Sequence, residues 1–137
     1  MQETFSGRVI ITAALIADKE RLLVARRPPG KKFGLLWEFP GGKVEPGEGL
    51  EGALIREIRE ELCLDICVSG LFKTISRREP GFEFDLHAYW CKICGGTLRL
   101  LEHVALKWAT LSELKNMELT MADRSLMPFL EELREFP

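Results

Sequence analysis

One helix constrains this chain more than any other feature. At roughly 100° per residue, Glu60 falls about 60° to one side of Glu57 and Glu61 about 40° to the other; Ile55, Ile58 and Leu62 gather about 100° to 160° away. A helix over Leu50 to Leu62 therefore shows three carboxylates on one arc and an apolar flank that must pack on something else. Just before it runs Phe39-Pro40-Gly41-Gly42-Lys43, whose glycines allow positive φ and close approach of backbone to a ligand. Taken alone, the acids describe an ordinary solvated face, with Arg56 and Glu60 as an (i, i+4) pair.

The wider spacing is more specific. Gly42, Glu48, Arg56, Glu57, Glu60 and Glu61, with aliphatic residues at Ile58 and Leu64, recur by chance on the order of 10⁻⁸ per starting position. This pattern resembles the Nudix box, Gly-x5-Glu-x7-Arg-Glu-U-x-Glu-Glu-x-Gly-U with U a bulky aliphatic, over residues 42–64. Weaker similarity to the MutT-like branch runs from Val9 to about Leu130. One position departs: Cys63 stands where the family has glycine, a residue that commonly ends a helix in the left-handed conformation. The departure touches the end of the helix and removes no carboxylate.

The 137 residues are read as one domain over 1–137, long enough for a sizeable core. With 21 acidic against 19 basic residues and no basic block, duplex nucleic acid is not the expected partner. A small nucleotide polyphosphate that arrives with its own cation suits this balance. The apolar run from Val9 to Ala17 is too short to span a bilayer, and Met1-Gln2-Glu3-Thr4 lacks the basic opening of a signal peptide. The expected protein is cytoplasmic, without a membrane partner, and a monomer or homodimer.

Cys63, Cys67, Cys91 and Cys94 admit a zinc site, disulfides or use as small buried hydrophobes. Cys91 and Cys94 lie in a strand-like run, where residues three apart point to opposite faces. Disulfides are rare in the cytoplasm, so buried hydrophobes are the expectation.

Period and turn chemistry place strands at 8–17 and 21–27, a loop at 28–32 and a short extended piece at 37–39. The acidic helix follows, with Glu48 and Glu51 at its positive end. Extended segments are expected at 65–78, 82–93 and 104–109, with a turn at Gly95-Gly96. Ser112 opens a short helix, and 122–135 reads as a closing amphipathic helix with Leu126, Phe129, Leu130 and Leu133 inward. Strands mixed with helices mean an α/β fold with a helix-covered sheet. The resemblance implies the Nudix α/β/α sandwich, a mixed sheet between helices.

The resemblance also implies a chemistry. Clustered carboxylates suit a hard cation, and Glu57, Glu60 and Glu61, with the Gly41 carbonyl, would hold Mg²⁺, or Mn²⁺ in its place. Glu48, Arg56 and Gly42 would support them. Glu102, six residues before Trp108, would orient or deprotonate water or bind a further metal; the plainer reading is a solvent-facing turn acid. His103 reads as a loop residue, and His87 as packed or facing the cleft. Arg27 and Lys43 would meet phosphate or base, or serve as plain surface charges. Phe39 and Trp37 share one face and would wall a base unless the core claims them. Asp123 would read a nucleobase edge or cap the helix beginning at Ala122; if ionised it only accepts hydrogen bonds, which favours an amino-bearing base. The implied activity is hydrolysis of a nucleoside triphosphate, (d)CTP-like or oxidised dGTP, to monophosphate and pyrophosphate. The rivals are a nucleotide sensor that has lost turnover, or a Nudix enzyme acting on another nucleoside diphosphate derivative.

Overall fold

A computed structural model describes residues 8–80 and 82–137, so the opening Met1-Gln2-Glu3-Thr4 lies outside it. The strands are β1 (Arg8–Asp18), β2 (Arg21–Arg26), β3 (Trp37–Glu38), β4 (Gly41–Lys43), β5 (Leu64–Glu79), β6 (Phe82–Gly96) and β7 (Ala105–Thr110). The helices are α1 (Leu50–Leu62), α2 (Leu111–Lys115), α3 (Met121–Arg124) and α4 (Met127–Leu130). The sheet order is β3-β2-β1-β6-β5, with β4 also on β1 and β7 also on β2. β1 and β6 run parallel and the other pairs antiparallel, so the sheet is mixed.

The central strands are apolar on both faces because both faces are covered. Ala13 and Leu15 of β1, with Leu22 and Val24 of β2, pack against Leu114, Ala122, Leu126 and Leu130 from the C-terminal helices. Ala14, Ile16 and Leu23 point the other way, onto Leu54, Ile58 and Leu62 of α1. Burying each of these α1 side chains contributes about 1.5–3 kcal/mol, enough to hold a strongly charged helix on the sheet. The expected α/β arrangement, a mixed sheet between helices, is the observed one.

Three details differ from the sequence reading, and a fourth concerns the helix end at Cys63. Cys67 and Cys94 form a disulfide rather than serving as buried hydrophobes, with 5.9 Å between their Cα atoms. Cys67 faces Lys92, and a register shift between Asp65 and Ile66 draws Cys94 in beside it. Cys91, by contrast, is buried in the core. The strand also continues through Gly95 and Gly96 instead of turning there. Gly96 has φ 83°, and a Cβ on it would meet the Cys63 carbonyl oxygen at 2.3 Å, so the close backbone approach demands glycine. The segment expected as one closing helix is two short ones, because Pro128 has no N–H to continue the ladder. Leu126 and Leu130 are nonetheless fully buried, with Phe129 and Leu133 packed beside them. Finally, Cys63 adopts the left-handed conformation of the family's glycine, φ 59°, and its N–H donates to the Arg59 carbonyl.

Candidate active site

Helix α1 presents its acids to three different surroundings. Glu61 is buried, the Glu57 side chain is mostly covered, and the Glu60 side chain is 55% exposed. Arg56 ties the outer ones together. Its Nε and Nη2 donate to the two Glu48 oxygens, and its Nη1 reaches Glu60 Oε1 at 3.2 Å and Glu57 Oε2 at 3.4 Å. Its Nη2 also donates to the Lys43 carbonyl, joining α1 to β4. Glu48 accepts from the Glu45 amide as well, and these bonds hold its carboxyl below the usual range.

The Glu57 and Glu61 carboxyl groups lie side by side, and each acts on the other's charge. Burial raises both carboxyls. Glu61 is pushed up to about 10, by burial first and then by Glu57, Glu38 and Glu102. Its Oε1 is buried with no hydrogen-bond partner among the described residues. The Glu57 carboxyl sits over Gly42, where a Cβ would lie 2.5 Å from it. Among the described residues no three His, Cys, Asp or Glu side chains are already gathered as a ligand set; Glu60 is turned to Arg56 instead. The donor chemistry nevertheless fits a hard divalent cation. Such an ion would offset the crowded carboxylate charge and partner the orphaned oxygen.

A polar cavity of about 50 Å³ opens beside Glu61, lined by Arg27, Lys31, Glu38, Glu102 and His103. A larger one, about 500 Å³, lies between the β1–β2 turn and the C-terminal segment. It contains none of the candidate residues, whereas the smaller one gathers Arg27, Glu61 and Glu102. Arg27 is engaged with Glu38 through Nη1, at 3.2 and 3.3 Å, and its Nε donates to the Lys32 carbonyl. Lys43 is exposed at the end of β4.

Two expectations are corrected. Phe39 is only 2% exposed and belongs to the core beneath the C-terminal helices, so its ring offers no wall to a base. Trp37 packs partly against the same cluster, as alternation requires. Asp123 is not the cap of α3, a position held by Thr120; it accepts the Phe39 amide at 2.7 Å from within the helix.

The sequence reading missed Glu38 and the burial of His103, which is a loop residue as expected. Glu38 lies between Trp37 and Phe39, so the alternation that turns those two to the core sends it to the opposite side. That signal was available in the sequence. His103 is buried, and its Nε2 lies 2.8 Å from Glu38 Oε2; nothing local marks a loop histidine for burial.

Burial, and then the Glu38 charge, pushes the Asp123 carboxyl up to about 8, against its bonds from Phe39 and Thr120. The folded state therefore holds this proton more tightly than the unfolded chain. The stability it contributes is complete below the ordinary carboxyl range and is lost as pH rises through about 8. Asp123→Asn is expected to remove that loss, so its thermal midpoint should gain on the wild type steadily between pH of about 5 and 9. Parallel midpoint curves for the two proteins would refute the assignment.

A glycine turn followed by an anchored acidic helix, on a mixed sheet covered by helices, defines an α/β protein with clustered carboxylates at the helix face. The chain matches the NUDIX domain family over residues 7–130 and belongs to it. It is 38% identical over 124 residues to a CTP pyrophosphohydrolase of Escherichia coli (strain K12), covering 90% of this chain and 92% of the relative. It is 34% identical over 116 residues to a putative 8-oxo-dGTP diphosphatase 2 of Mycobacterium tuberculosis (strain ATCC 25618 / H37Rv), covering 84% and 82%. The solution structure of the E. coli ORF135 protein superposes with a TM-score of 0.78 at 36% identity, covering 93% of this chain and 91% of that one.

Proposed function

We propose that this chain is a Mg²⁺-dependent nucleoside triphosphate pyrophosphohydrolase, with Mn²⁺ able to substitute, that releases a nucleoside monophosphate and pyrophosphate. The observation that carries it is buried Glu61, with one oxygen unpartnered and Glu57 beside it, on the helix that bears the family's motif. Glu57, Glu60 and Glu61, with Gly41, would hold the cation. Held there, a cation would supply charge neutralisation to the phosphates and acidify a nearby water. Glu102 orients that water or takes its proton. Arg56 keeps Glu48, Glu57 and Glu60 in register.

For the base, the names of the relatives favour a cytosine nucleotide or an oxidised guanine nucleotide. Asp123 does not decide between them. Held neutral at pH 7, it can donate as well as accept, so the preference for an amino-bearing base expected of an ionised carboxylate does not apply. The same reading carries a cytoplasmic setting, against which the Cys67–Cys94 disulfide stands. Among the described residues no helix is long and apolar enough to cross a membrane.

Pyrophosphate release from CTP, dCTP, 5-methyl-dCTP, dGTP, 8-oxo-dGTP, ADP-ribose and a dinucleoside polyphosphate, with Mg²⁺ and with Mg²⁺ chelated, tests this. Turnover of a triphosphate is expected, falling at least about a hundredfold on chelation. Nucleotide binding without turnover across the panel would favour the sensor instead.

A further inference from the structure

Glu102 has no hydrogen bond or ion pair to another described residue. Its side chain is exposed, so its placement beside Glu61 depends on the backbone that carries it. That backbone is tied on both sides: the Leu101 amide donates to the Glu61 carbonyl at 3.4 Å, and the Val104 amide to the Arg26 carbonyl at 2.9 Å. Between these two ties the chain turns inward at His103, whose side chain is 3% exposed. Its Nδ1 has no partner among the described residues. The whole polar anchorage of this buried ring is therefore the contact between Nε2 and Glu38 Oε2. Facing a carboxylate already paired with Arg27, Nε2 is the donor.

Glu38 is a firm anchor. Arg27 grips both of its oxygens. Its strand is also fixed: Trp37 donates to the Glu118 carbonyl, and Thr120 donates to Trp37. Glu38 thus lies on the same short strand that leads to Phe39 and, through the Phe39 amide, to Asp123.

We propose that His103 is a positioning residue whose Nε2–H bond to Glu38 sets where the Glu102 carboxylate stands beside Glu61. A buried ring held by one bond is a hinge pin: if the bond is lost, the Leu101–Val104 turn keeps its backbone ties but loses the contact that fixes its tip. This inference rests on the role proposed for Glu102, and it concerns a residue that touches neither phosphate nor cation.

The test compares His103→Gln, His103→Asn and His103→Leu. A glutamine amide nitrogen reaches about as far as imidazole Nε2, and an asparagine amide only about as far as Nδ1. Two quantities are read on the full chain: Mn²⁺ affinity, from the electron paramagnetic resonance signal of the free ion, and steady-state hydrolysis of the best triphosphate. His103→Asn and His103→Leu are expected to bind Mn²⁺ about tenfold more weakly and to lose about ten- to a hundredfold in kcat, with KM within about threefold. His103→Gln should recover most of both. Equal losses in all three variants would mean that packing matters and the bond does not, and undamaged Asn and Leu variants would refute the inference outright.

A third readout uses the wild type alone, in case the variants fold poorly. Imidazole ¹⁵N spectra should show a slowly exchanging proton on Nε2, and its absence overturns the proposal. A wild type that binds no Mn²⁺ would sink the metal reading and this inference together. Normal wild-type binding with an unaffected His103→Asn would sink this inference alone.

Discussion

Glu61→Gln is expected to lower metal-dependent turnover by at least about a hundredfold, roughly 2.7 kcal/mol of barrier, while making the metal-free protein more stable. The two effects share one cause. Glu61 is buried, with one oxygen unpartnered and Glu57, Glu38 and Glu102 around it. A carboxylate there is costly in the empty protein and useful only when a cation compensates it. Glutamine keeps the shape and removes the charge. Because burial raises the folded carboxyl above its ordinary value, Glu61 contributes full stability only below the ordinary carboxyl range and loses it as pH rises toward about 10. The stability advantage of Glu61→Gln should therefore widen with pH in the absence of metal. Thermal melts at several pH values, with and without Mg²⁺, check this alongside the assay. A variant both inactive and less stable would show that Glu61 holds the helix rather than a cation.

Gly41→Ala and Gly42→Ala should fail in different ways, although the two glycines are adjacent. At Gly41, φ is 152° and a Cβ would lie 2.1 Å from the Thr12 carbonyl oxygen, which belongs to the backbone of β1. A paired central strand cannot step aside, so the expected cost is about 3 kcal/mol of stability or more. At Gly42 the three atoms nearest a Cβ all belong to the Glu57 carboxyl group. That side chain can swing away, so Gly42→Ala should melt close to the wild type yet lose at least about tenfold in Mn²⁺ affinity and turnover. Chemical denaturation and metal titration of both variants separate the two cases. A Gly42→Ala protein with normal metal affinity would remove Glu57 from the ligand set.

Much of this architecture was readable along the chain. A helix has one period, so the sequence by itself determined that Glu57, Glu60 and Glu61 share an arc and that Ile58 and Leu62 face the core. Alternation in β1 and β2 likewise determined two buried faces, and hence a sheet covered on both sides. The break at Pro128 was equally local, and the expected continuous helix overlooked it. Other features needed partners distant in sequence. Cys67 and Cys94 meet because of a register shift in the β5–β6 ladder. Phe39 is lost to the core because the C-terminal helices cover it, and the Asp123 carboxyl is pushed up because that same covering excludes water from it. The pairing of His103 with Glu38 depends on where the turn after β6 crosses the end of β2. Local periodicity tells which way a side chain points; what it meets there is decided by strand register and loop paths that only the assembled sheet defines.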